Sequence, residues 1–161
     1  MNRLSQSVHL VAAVAFSMPV QAGSLDLGQP QDSVIAELKE RFDRVSEVEG
    51  QRDGRKQFLA WSSATKQSTF VWFCKGRLDE KSQPWDGGFP AFVKLVDQRE
   101  RQFGVGRHFP EVLQTALGES VSLRVAWRDD ASLRVHYVEF SQFDGDQTLT
   151  VGESAVRGPC E

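Results

Sequence analysis

Histidines, cysteines and acidic side chains are the groups from which chemistry would start in this chain, and few of them are spaced to perform it. Three histidines occur in the 161 residues. His9 lies in an apolar stretch near the start, while His108 and His136 stand in the body of the chain. A zinc site needs three or four ligands, and neither His108 nor His136 has a second histidine or a carboxylate at ligand spacing. No metal or other cofactor is therefore expected. Serine hydrolase chemistry calls for a GlyXaaSerXaaGly elbow, or for SerXaaXaaLys with its partner motifs. SerAlaThrLys at 63–66 has the second spacing but falls between two strand-like runs, where it reads as a turn. AspGlyAsp at 144–146 opens like a calcium loop and lacks the later oxygen ligands. The 22 acidic residues offer carboxylates in plenty, and nothing in their spacing pairs two of them. An enzyme is the less favoured reading.

The two cysteines, Cys74 and Cys160, point to a compartment. Met1 to Arg3 is weakly basic, Val8 to Val20 is largely apolar, and ValGlnAla at 20–22 has the small residues of a cleavage site. That pattern predicts a secretory signal peptide over 1–22 and one globular domain over 23–161, exported to the periplasm or beyond after cleavage near Ala22. The apolar run of about 13 residues is short of the roughly 20 needed to span a bilayer, so no stable membrane insertion is expected. In an oxidising compartment two cysteines read as one disulfide, Cys74 to Cys160, tying down the C-terminal tail. The long loop it closes sets an upper figure of about 4 to 5 kcal/mol on its stabilisation. The formal net charge is −3 and the basic residues are scattered, which argues against a nucleic-acid partner.

The elements that would carry these residues follow from periodicity. Asp32 or Ser33 can cap a helix in which Val34, Ile35, Leu38, Phe42 and Val45 recur at helical spacing up to Gly50. Residues 56–62 and 68–74 are rich in aromatic and β-branched side chains and predict a hairpin, with 77–90 as a covering loop. Residues 89–103 favour a helix, although PheValLysLeuVal at 92–96 would also suit a strand, and 108–118, with Pro110 and Glu111 in a first turn and Gly118 as a stop, predict another helix. From Val121 the pattern alternates with period two through turns at 129–130 and 143–147, predicting an antiparallel meander. Its wet face would carry Arg134 and His136 against an apolar face with Leu133, Val135 and Tyr137. The fold class expected is α+β: an antiparallel sheet, made of an N-terminal hairpin and a C-terminal meander, packed with two to three helices. No internal repeat is read from the sequence.

SerGlnProTrpAspGlyGlyPhePro at 82–90 is the surface feature that most invites a partner, because Trp85 and Phe89 are costly to leave in water. Trp85, Asp86 and Phe89, with Arg134 and His136, are the candidate contact residues. The spacing of Trp72, Cys74 and Gly76 resembles that of lysozyme inhibitors, without the rest of their pattern, and assigns no family. The function expected is an exported protein-binding module, an inhibitor or immunity-type protein that blocks a toxin or a cell-envelope hydrolase such as a phospholipase or peptidoglycan hydrolase. The alternative is a small periplasmic hydrolase or ligand-binding domain working at Arg134 and His136.

Overall fold

The computed structural model describes residues 25–49, 54–115, 118–156 and 160. The expected signal peptide and its cleavage site lie outside the described residues. Helix α1 (Gln31–Arg41) is followed by β1 (Arg44–Val48), β2 (Lys56–Trp61), β3 (Ser68–Cys74) and β4 (Arg77–Trp85). Helix α2 (Gly88–Phe103) is followed by β5 (Arg107–Thr115), β6 (Gly118–Asp129), β7 (Arg134–Phe143) and β8 (Asp146–Ala155). The strands form one antiparallel sheet in the order β1-β2-β3-β4-β8-β7-β6-β5. A helix followed by four meandering strands thus occurs twice, and the two halves join where β4 pairs with β8. This repeat escaped the sequence reading because it resides in the order of elements and not in matched residues. Two corresponding turns do share their chemistry. Lys75 and Gly76 between β3 and β4, and Asp144 and Gly145 between β7 and β8, all have positive φ, as a two-residue hairpin turn requires.

Each half has its own core. Under α1, Val34 and Leu38 pack with Leu25, Ala60, Val71, Phe73 and Leu78. Under α2, Phe92 packs with Val125, Trp127, Val138, Phe140 and Leu149. Burying such side chains contributes roughly 1.5 to 3 kcal/mol each. One eight-stranded antiparallel sheet with two helices and one disulfide is compatible with the α+β class.

Three expected elements are corrected. The first helix ends at Arg41, and Phe42 is already extended, at φ −123° and ψ 140°. Val45, assigned to that helix, belongs to edge strand β1, where it pairs with Ala60 and covers the first core. The covering loop at 77–90 is instead β4 and the start of α2, because β3 and β8 both offer ladders to it. The helix expected at 108–118 is edge strand β5, paired with β6 from Arg107 to Thr115. Tertiary pairing overrides the helix-start cues there, since a proline is tolerated on an edge strand whose missing N–H faces solvent. Charged Arg107 and Glu111 with Pro110 also blunt this exposed edge against pairing with other chains.

Candidate functional site

Alternation along paired strands assigns every side chain to one of two faces, and the core residues identify which face the helices cover. On β7, Val138 and Phe140 belong to the core under α2, so Arg134 and His136 share the helix side. Val135, Tyr137 and Glu139 lie on the opposite side. The expected wet face of β7 is thus inverted. Polarity misled because the charged groups on the helix side neutralise one another. Glu153 faces Lys81 at 3.0 Å, Arg134 at 3.3 Å and the Nδ1 of His136 at 3.7 Å. The His136 ring also stacks on Phe103 at the end of α2, with centroids 4.8 Å apart. Burial pulls the His136 pKa down, with Arg99 and Arg134 acting in the same direction and Glu153 and Asp129 opposing them.

Trp85, Asp86 and Phe89 sit at another end of the helix side. Trp85 pairs with Leu149 and packs on the core under α2, while Asp86 is exposed. Phe89, 48% exposed, stacks on Phe92 and meets Phe140 edge-on. The structure therefore brings Arg134 and His136 together, and separately Trp85 and Phe89. Leu149 and Glu153, which mark the two places on β8, are four residues apart, about 13 Å of strand.

The other face carries no helix, and the 77–90 segment expected as a cover is a strand of the sheet and the start of α2. In the N-terminal half it presents Leu59 and Trp61 from β2 and Phe70 and Trp72 from β3, none of them part of either core. Phe70 and Trp72 stack with centroids 5.9 Å apart. In the C-terminal half Tyr137 is only 4% exposed although no helix covers it. Its ring lies over Gly152 of β8, where a Cβ would collide with the ring and come within 2.8 Å of the Lys81 carbonyl oxygen. Its hydroxyl donates to Glu80 Oε1 of β4 at 2.6 Å. The Arg124 guanidinium lies 4.3 Å from the ring centroid, and its Nε donates to Glu139 Oε2 at 2.6 Å. Burial first, and the Glu80 carboxylate second, push the Tyr137 pKa far above its ordinary value. Phe109, Glu111, Ser122, Ala126 and Val135 border a groove of about 580 Å³ beside this tyrosine and arginine.

The row continues on the far side of Glu80. Arg55 reaches Glu80 Oε2 and Asp79 Oδ2, each at 3.3 Å, and Asp79 is 1% exposed. A polar line, Asp79, Arg55, Glu80, Tyr137, Arg124 and Glu139, thereby crosses the seam between the halves. The residues that stack and bond here are tryptophan, tyrosine and arginine, the types that dominate interface energetics. One cue was available beforehand: the 56–74 strands are apolar on both faces, which signals a sheet face that wants a cover.

Comparisons with protein-family models, with curated proteins and with solved structures found no match for this chain. Among the described residues no helix is long and apolar enough to cross a membrane, and no three histidine, cysteine, aspartate or glutamate side chains group as metal ligands.

Proposed function

We propose that this protein is an exported protein-binding module of the inhibitor or immunity type, and that it engages its partner with the helix-free face of the sheet. The observation that carries the reading is the set of large rings on an uncovered face: Trp61, Phe70 and Trp72 in one half, and Phe109 in the other. Eight strands about 4.8 Å apart, of 5 to 12 residues each, offer a face on the order of 1,000 Å². That is large enough for one partner's share, roughly 800 Å², of a standard stable interface. Blocking a toxin or envelope hydrolase needs shape and hydrogen-bonding complementarity and no catalytic group. The Cys74–Cys160 disulfide supports an oxidising compartment, in keeping with the proposed signal peptide and periplasmic location.

The test uses the mature domain as bait against periplasmic and secreted fractions, followed by the captured protein's own hydrolytic assay. The domain should suppress that activity, and Trp72→Ala should weaken capture by 10-fold or more with little change in melting temperature. A captured protein that stays fully active, or capture indifferent to Trp61, Phe70 and Trp72, overturns the reading. Loss of a turnover on His136→Ala would favour the hydrolase alternative instead.

A further inference from the structure

Beneath the polar line on the helix-free face lies a second connection, which runs to the C-terminal tail. Cys160 is bonded to Cys74 at the end of β3 and is 6% exposed. Its carbonyl oxygen rests on Gly54, where a Cβ would approach it to 2.8 Å, and Gly54 has a φ of +70°. The Sγ of Cys160 lies 3.8 Å from the Gly54 carbonyl oxygen, a packing contact, since a bridged sulfur has no proton to donate. Arg55 is the next residue. Its two terminal nitrogens are divided between Asp79 and Glu80, while its Nε and the Asp79 Oδ1 are buried without a hydrogen-bond partner. The Arg55 side chain is partly exposed while Asp79 is buried, so the cluster is only partly satisfied and depends on the position of the backbone that carries Arg55.

We propose that Arg55 is the positioning residue of the binding face: pinned beside Gly54 by the tail tether, it fixes Glu80, and through Glu80 the Tyr137 ring and the Arg124 guanidinium. This rests on the docking reading above only for what the face is used for. The coupling itself belongs to the isolated domain. Glu80 accepts from Arg55 through one oxygen and from Tyr137 through the other, so the carboxylate cannot leave one partner without turning away from the second. Arg124 in turn needs the flat ring beneath it and Glu139 beside it to hold its guanidinium in place.

The chain contains a single tyrosine, so the row has its own spectroscopic reporter. In the parent domain the phenolate absorbance of Tyr137 should stay silent until the protein unfolds in alkali. Arg55→Ala, folded by far-ultraviolet circular dichroism, should lower the tyrosine pKa enough for the phenolate absorbance to begin rising before the domain unfolds. Simple loss of the Arg55 charge predicts the reverse, because an uncompensated Glu80 would raise the tyrosine further. Cys160→Ser should move Tyr137 in the same direction as Arg55→Ala, and the two together should move it no further than Arg55→Ala alone. Arg55→Lys should restore silence in part, since it keeps the charge and loses the fork. A folded Arg55→Ala domain with Tyr137 still silent, or additive effects of the two changes, overturns the proposal. If Arg55→Ala fails to fold, Cys160→Ser carries the test, as it leaves every group of the row in place: a silent Tyr137 in that variant overturns the proposal. No partner enters these measurements, so their failure and the failure of the docking reading are separate results.

Discussion

Gly152→Ala is a one-carbon change whose cost can be worked out from the sheet. Gly152 lies directly beneath the Tyr137 ring, and an added Cβ would meet both the ring and, at 2.8 Å, the Lys81 carbonyl oxygen. The ring can swing, but the carbonyl belongs to the β4–β8 ladder and cannot move without weakening it. Tyr137 would have to leave Glu80, losing a hydrogen bond to an ionised acceptor, a loss of about 1.5 to 3 kcal/mol. Crowding of the ladder adds about 1 kcal/mol or more. The expected total is about 3 kcal/mol, read by urea denaturation with an unchanged slope. In parallel, the phenol of the variant should titrate in the folded state, whereas in the parent it remains protonated. The parent's raised tyrosine pKa favours the folded state below about pH 10, the ordinary value, and that contribution is lost as pH rises above it. An alanine variant within about 0.5 kcal/mol of the parent, with Tyr137 still silent, would refute the placement of the ring across the seam.

Other outcomes follow from the helix side. His136 has a lowered folded pKa, so its contribution is fully present above the unfolded value of about 6.5 and is lost as pH falls through the folded one. His136→Phe should flatten that acid limb of the stability profile measured from pH 7 to 5. Trp85→Ala should lower stability by about 2 to 3 kcal/mol, below the 3 to 5 of a fully buried ring, because Trp85 packs on the second core while remaining partly exposed. The docking reading expects partner affinity in the Trp85 variant to change far less than in Trp72→Ala, and a hot spot at Trp85 would invert that order.

How far the sequence could be read depended on whether neighbours in the chain are neighbours in the sheet. Helix α2 was legible, since Phe92, Val96 and Phe103 repeat within a segment that packs by itself onto β6, β7 and β8. The disulfide was legible from the chain's two cysteines and the oxidising compartment expected for them. β5 was not, because residues 107–115 carry helix-start signals and become a strand only through β6. Nor was the side of the sheet on which His136 lies. Val135 and Tyr137 are the apolar members of that run, yet register places them opposite Arg128 and Ala126, while His136 is opposite Trp127. The polar line on the helix-free face was the least legible part, for it gathers Glu80, Arg124 and Tyr137 from three strands and Arg55 from the segment just before β2, none of them marked by local spacing.

The β4–β8 seam also bears on how such a chain is assembled. β4 is made early, yet its second neighbour, at Leu149 to Ser154, is near the end of the chain. Until β8 arrives, the first half is a helix on four strands with an unpaired inner edge, which would accept any compatible strand, including the same strand of another molecule. Two such halves set antiparallel through that edge would rebuild an eight-stranded sheet of the present kind. The single chain does covalently what a dimer of half-length chains would do by association, and so holds its two halves together at any dilution. A chain cut between α2 and β5 would keep the α1 core and lose this closure, and association through β4 would be the only way left to recover it.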